Sequence, residues 1–190
     1  MVKEIRGKQK EKMKKKTKLI IQKIRPLIFL GLVACSAPEK SVIANIVNLQ
    51  TEAVLGVARF IETKKGVLFK VEIQAKENTT LGVHIHQYGD CGDIEGKSAG
   101  GHWNPTDEPH GTWSQGSFHS GDLGNIKTDQ NGNGALEVLD VFGRWSLDKE
   151  KTTSVLNKAI IVHAGTDDMT TQPSGAAGKR MGCGVIKNSK

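Results

Sequence analysis

The chain has 190 residues, with 27 lysines and arginines against 20 aspartates and glutamates and a formal net charge of +7, a size that suits one globular domain. The positive charge is not spread along it: residues 1–34 hold 11 basic and 2 acidic side chains, a net of +9, and the remaining 156 residues carry a net of −2. A nucleic-acid partner is therefore not expected, because the basic excess belongs to one terminal segment and not to the domain behind it.

That segment, residues 1–34, has the anatomy of a secretory signal: a long basic stretch, the apolar run Leu27-Ile28-Phe29-Leu30-Gly31-Leu32-Val33-Ala34, then Cys35. Eight apolar residues are too few to span a bilayer as a helix. Leu32-Val33-Ala34-Cys35 resembles the bacterial lipobox, which implies a lipidated Cys35, a polar tether over 35–42 and a folded domain over 43–190. Met13 is an alternative start to Met1. The location expected is the cell envelope, periplasmic and held to a membrane by the lipid, with Ser36 after the cysteine favouring the outer membrane by resemblance to enterobacterial sorting rules. A buried apolar strand followed by a free thiol is the competing reading. Three cysteines in an exported chain leave an odd thiol to explain, and lipidation of Cys35 leaves Cys91 and Cys183 as the possible internal pair. Closing that loop is worth on the order of 4–5 kcal/mol in the chain-entropy picture. Two unrelated buried thiols are the alternative.

Beyond the tether the pattern is β. Val67, Phe69, Val71, Ile73 and Ala75 alternate with Leu68, Lys70, Glu72, Gln74 and Lys76, with Leu68 the one apolar misfit. Residues 63–66 supply a hairpin turn from a strand over 57–61. A second turn over 129–134 sits between strands near 126–128 and 135–139, and two more strands are expected over 158–163 and 182–186. Residues 147–158 are the one stretch with room for a helical turn. About eight short strands with glycine-rich loops point to an antiparallel sandwich or barrel.

The chemistry lies in the histidines, five of which fall between Gly82 and Asp122. His84 and His86 are two apart in a strand pattern, which turns both imidazoles to one face while Val83 and Ile85 face the other. His163 ends a later strand at the parity of Ile161 and could join them. Three imidazoles on rigid strands suit a borderline transition metal, copper above all. His110, His119 and Asp122 come from loop sequence, and a carboxylate with imidazoles suits zinc. His102 could serve either group, or both if its two ring nitrogens bind different metals.

The segments Gly82-Val83-His84-Ile85-His86-Gln87-Tyr88-Gly89-Asp90-Cys91, Gly101-His102-Trp103-Asn104-Pro105, His119-Ser120-Gly121-Asp122-Leu123-Gly124-Asn125 and Gly182-Cys183-Gly184-Val185-Ile186 resemble the copper/zinc superoxide dismutases over about 43–186. The resemblance implies an eight-stranded antiparallel Greek-key sandwich or barrel of immunoglobulin-like architecture, with long metal-binding and electrostatic loops. It implies copper on His84, His86, His102 and His163, and zinc on His102, His110, His119 and Asp122, with His102 as a shared imidazolate. It also implies a Cys91–Cys183 disulfide, a guiding Arg180, and Asp167 as the outer carboxylate joining a copper histidine to a zinc histidine. The expected reaction is dismutation of superoxide to oxygen and hydrogen peroxide, with Arg180 and His102 in catalytic roles. A non-catalytic copper or zinc buffer of the same fold is the alternative, and monomer and homodimer both stay open. The segment 169–174 carries no charge where many relatives place charged groups, so steering of the anion is expected to rest on Arg180 and Lys179. Trp103, Trp113 and Phe118 are expected to pack.

Overall fold

The computed structural model describes residues 40–189, so the signal segment, Cys35 and nearly all of the tether ahead of Ser41 lie outside it. Nine strands follow one another: β1 (Ser41–Asn48), β2 (Val54–Thr63), β3 (Gly66–Gln74), β4 (Thr80–His86), β5 (Asp122–Lys127), β6 (Asn133–Asp140), β7 (Ala159–His163), β8 (Arg180–Val185) and the two-residue β9 (Lys187–Asn188). The first strand begins inside the stretch expected as tether. Among the described residues the only helical element is a single 3-10 turn, Lys97–Ala99.

The alternation in the sequence decides which side of each strand is covered. In β3, Val67, Phe69, Val71 and Ile73 are buried while Leu68, Lys70, Glu72 and Gln74 face outward, the period-2 consequence of the pleat. β2 and β3 form the expected hairpin, closed at Thr63 and Gly66 by a bond from Thr63 Oγ1 to the Gly66 carbonyl at 2.7 Å. The strands lie in the order β5-β4-β7-β8-β1-β2-β3-β6, with β9 beside β1. The pairs are antiparallel. Connections from β3 to β4 and from β6 to β7 cross between the two halves of this order, a Greek-key arrangement that leaves a nearly closed barrel.

The pairings settle one turn that the sequence left open, and one expectation needs correction. The turn after β5 does not make a hairpin, because β5 pairs with β4 and β6 pairs with β3; it bridges the gap between the two ends of the strand order. Residues 147–158 hold no helical turn. There Asp148 and Ser154 accept hydrogen bonds from the nearby N–H groups of Glu150 and Leu156, and such local side-chain bonds compete with helix formation.

The core fills the space between the halves. Phe60, wholly buried, packs on Phe69 at 4.9 Å with the rings tilted by 54° and meets Trp145 edge-on at 5.4 Å. A smaller cluster of Leu49, Ala99, Ala159, Ile161 and Cys183 lies separately, with Cys91 packed against it. The disulfide between Cys91 and Cys183 therefore pins the loop after β4 to β8. Phe60→Ala is expected to cost about 3–5 kcal/mol, read as a lower urea midpoint with an unchanged slope.

Candidate metal centre

The strand parity of β4 places Val83 and Ile85 in the main core and turns His84 and His86 out of the barrel. β7 lies beside β4, with Ile161 opposite His84 and Ala159 opposite His86, so His163 at the end of β7 reaches the same external face. Loop segments complete the site through a backbone strap. Ile85 N–H donates to the Gly121 carbonyl, Gly121 N–H to the Trp103 carbonyl, and Trp103 N–H to the Ile85 carbonyl, at 2.8–3.0 Å. The strap holds His102 next to His86 and Asp122 next to His84 and His102. It also explains glycine at 121, where a Cβ would come within 2.2 Å of the Ile85 carbonyl oxygen.

Two clusters result, sharing one ring. His84, His86, His102 and His163 bring one ring nitrogen each within 4.8 Å of one another, and so do His102, His110 and His119 with an Asp122 oxygen. In the second cluster Asp122 Oδ1 lies 2.8 Å from His102 Nδ1, 2.9 Å from His110 Nδ1 and 3.1 Å from His119 Nδ1. Four ligands about 2.0 Å from a tetrahedral zinc ion would stand roughly 3.3 Å apart, so only a small outward adjustment separates this group from a zinc cage. The other oxygen, Oδ2, accepts the N–H groups of Gly111 and His119, which fixes the carboxylate plane.

The fit to metals is carried by orphaned nitrogens. Among the described residues, His84 Nδ1, His86 Nε2, His102 Nε2 and His163 Nε2 are buried without a hydrogen-bond partner. A buried polar atom left unpaired costs free energy, and four in one cluster call for a cation. In three of these rings, and in His110, the opposite nitrogen is engaged by an acceptor. His86 Nδ1 donates to the Gly100 carbonyl at 2.9 Å, His163 Nδ1 to the Gly178 carbonyl at 3.2 Å, His84 Nε2 to Asp167 Oδ2 at 2.7 Å and His110 Nε2 to Asp167 Oδ1 at 2.9 Å. Each bond puts a proton on the outer nitrogen, which in His84, His86 and His163 leaves the inner lone pair free for a metal; His110, held between Asp122 and Asp167, gives up its inner proton when a metal enters. Asp167 therefore sits where the resemblance implies, joining one ring of each cluster. Gly175, with φ of 64°, passes so close that a Cβ there would lie 1.7 Å from Asp167 Oδ1.

Electrostatics follow from burial and these pairs. Burial pushes His84 down to about 3, despite its bond to Asp167, and pushes His163 down to about 4. Burial also lowers His86 and His102. Burial works against protonation of His110 too, but Asp122 and Asp167 outweigh it and raise the ring to about 9. Both carboxyls are held well below the usual range, against their own burial, by the imidazoles around them.

A cleft of about 410 Å³ opens onto His86, His102 and His163 and is walled by Arg180, Pro173 and Ser174. Arg180 opens β8 and donates from Nη1 to the Gly96 carbonyl at 2.6 Å. The 3-10 turn behind Gly96 is fixed by Asp93, whose carboxylate accepts the N–H groups of Glu95, Lys97 and Ser98. Lys179 lines the adjoining hollow with Lys97. Trp103 is buried beneath Lys158 Nζ at 4.9 Å, and Trp113 and Phe118 stack on each other at 4.9 Å, in the packing roles expected.

Two residues that the sequence left unmarked hold the outer layer. Asn125 receives the Asp167 N–H on Oδ1 and donates from Nδ2 to the Asp167 carbonyl, both at 2.9 Å. Gln172 does the same to His110, accepting its N–H at 2.9 Å and donating to its carbonyl at 3.0 Å. The uncharged segment 169–174 thus clamps a ligand-bearing loop. Only the amide type of these side chains was visible in the sequence, and an amide carries its donor and its acceptor on separate atoms, so one side chain can satisfy the N–H and the C=O of the same residue.

Comparisons with known proteins agree with this geometry. The family described as copper/zinc superoxide dismutase (SODC) matches residues 54–186. The chain belongs to the copper/zinc superoxide dismutase family. A Cu-Zn superoxide dismutase of Aquifex aeolicus is 41% identical over 155 residues, covering 80% of this chain and 90% of its own. One from Deinococcus radiodurans is 34% identical over 178 residues, covering 85% and 94%. The crystal structure of a superoxide dismutase-like protein from Bacillus subtilis superposes with a TM-score of 0.68 at 28% identity, covering 76% of this chain and 97% of that one. Copper and zinc are the metals of this family.

Two measurements check the site. In metal-free protein, the unfolded chain binds protons on its histidines near pH 6.5, whereas folded His84 and His163 do so only near 3 and 4; the depressed values make stability fall as pH drops from 6.5 toward 4. The raised His110 acts oppositely, its contribution complete below 6.5 and lost as pH climbs toward 9. Urea midpoints that stay level between pH 6.5 and 4.5 would contradict this account. Gln172→Ala is expected to weaken zinc retention about 10–100-fold, as outer-layer losses do, in chelator competition, and to leave copper retention nearly unchanged.

Proposed function

We propose that this protein dismutes superoxide, turning two superoxide ions and two protons into one oxygen and one hydrogen peroxide. The observation that carries the proposal is the pair of four-ligand clusters sharing His102 beneath a cleft that Arg180 faces. His84, His86, His102 and His163 would hold copper, and His102, His110, His119 and Asp122 would hold zinc. Copper bound there supplies a centre able to accept and return one electron at a time.

The chain's own groups do the rest. Arg180 presents a fixed positive charge and forked donors to a small anion entering the cleft. Burial nudges its guanidinium downward, and the neighbouring Asp93 charge opposes that; an arginine stays protonated across the working range. His102 Nε2 is buried and unpaired while Nδ1 is held at Asp122, and the ring lines the cleft, so Nε2 is the atom left to take up a proton and pass it to a reduced product. Asp167, by fixing His84 and His110 together, keeps the two clusters in register.

A metal buffer of the same fold is the second reading. It has no use for an arginine on the approach path or for an open anion cleft, and both are present. The location supported by the sequence is the cell envelope, with a lipid on Cys35 holding the domain to a membrane and superoxide in that compartment as the substrate. A basic stretch, a short apolar run and the lipobox-like tetrapeptide support it.

His163→Ala is expected to abolish turnover in copper- and zinc-loaded protein. Arg180→Ala should lower kcat/KM on the order of tenfold or more and flatten its dependence on ionic strength, because it removes the steering charge. Fully loaded wild-type protein without activity would leave the buffer reading standing.

A further inference from the structure

The outer face of β1, β2, β3 and β6 points away from the metal centre, which is built on β4 and β7 in the other half of the strand order. Its first row runs Ser41, Ile61, Leu68, Leu139 across the four strands. These positions alternate with the buried Val42, Phe60, Val67, Phe69 and Val138, so their side chains face outward, and Leu68, the misfit of the sequence pattern, belongs to an apolar stripe. Val141, two residues past Leu139 and 59% exposed, extends it beyond the end of β6, whereas Phe142 turns to Phe118 and Trp113 of the loop that carries His110 and His119. Leu139 and Val141 are two of the six large hydrophobic side chains left exposed among the described residues.

The chain enters the fold at the same place. The carbonyl of Lys40 accepts the Glu62 N–H at 2.9 Å, and Ser41 heads the apolar row. The five residues 36–40 between Cys35 and β1 span at most about 18 Å when fully extended, so a lipid on Cys35 would hold this end of the sheet close to the membrane. Cations rim the stripe: Lys40 at the entry, Lys64 and Lys65 exposed in the β2–β3 turn, and Arg59 in the next row, where Lys70 is paired with Glu137 at 2.7 Å, against the one further acid Glu62. Apolar side chains rimmed by lysine and arginine suit the boundary between acyl chains and anionic headgroups.

We propose that this face is a lipid-docking surface, on which the tethered domain sits with Leu139 and Val141 at the headgroup boundary and the Arg180 cleft turned toward the aqueous side. The stripe is small, so docking depends on the tether, which converts a weak contact into an intramolecular one. The proposal rests on the lipid anchor inferred above for Cys35.

The test uses the full processed and lipidated chain in vesicles of phosphatidylethanolamine and phosphatidylglycerol. Val141→Cys supplies one free thiol for a nitroxide, since Cys91 and Cys183 are paired, and Thr106→Cys, beside the cleft-lining Asp107, supplies the control. The expected result is that the label at 141 becomes several-fold more accessible to oxygen relative to a water-soluble nickel chelate than the label at 106, and that adding Leu68→Glu abolishes the difference. Labels equally open to water on protein that floats with the vesicles overturn the docking face while leaving the anchor intact. Protein that fails to float with the vesicles overturns the anchor, and the docking face with it. Dipolar broadening of the 141 label, relieved by dilution with unlabelled protein, overturns lipid as the occupant in favour of a second copy.

Discussion

One imidazole has to serve two four-ligand groups, and most of the local structure is arranged to let it. His102 turns Nδ1 to Asp122 and leaves Nε2 toward His84, His86 and His163. A ring so placed has no freedom to rotate, which is why its backbone is strapped to β4 and to the Gly121 turn by three short hydrogen bonds. Shifting the strap by one residue would put the wrong face of β4 toward the ring, since strand side chains alternate.

Around that ring the ligands fall into a rigid set and a supported set. His84, His86 and His163 ride on paired strands and need only their outer nitrogens fixed, by Asp167 and two backbone carbonyls. His110 and His119 come from a long loop, and the loop is held by tertiary devices. Gln172 grips the His110 backbone, Asn125 grips Asp167, Arg144 pairs with Glu108 at 2.8 Å, and Trp145 Nε1 donates to the Ser120 carbonyl at 2.7 Å. The disulfide and its small satellite core do the same for the turn that carries Arg180's partner, the Gly96 carbonyl. Losing any of these devices loosens the centre without touching a ligand.

Much of this was legible in the sequence, and the reasons are physical. Period-2 alternation in β3 and the two-apart spacing of His84 and His86 report directly on strand faces, so the strand parity and the external placement of the imidazoles could be read. The resemblance carried the rest of the ligand sets. What the residues alone left open was long-range: the parting of β5 and β6, which depends on pairings with β4 and β3 rather than on the turn between them, and the amide clamps of Asn125 and Gln172, whose partners lie 42 and 62 positions away. Leu68 looked like an error in a polar face because the neighbours that make it part of a row, Ile61 and Leu139, are adjacent only across the sheet. The absent helical turn over 147–158 was a local competition, decided by Asp148 and Ser154 bonding to their own backbone.

The central claim is that a single ring joins two metals. The most direct measurement is the electron paramagnetic resonance spectrum of protein loaded with copper in both positions. A shared, deprotonated His102 couples the two unpaired spins through the imidazolate, so the account predicts that the ordinary copper signal is largely lost at low temperature and returns, as that of isolated copper, in His102→Ala. Two independent, full-intensity copper signals in the unmodified protein would contradict it.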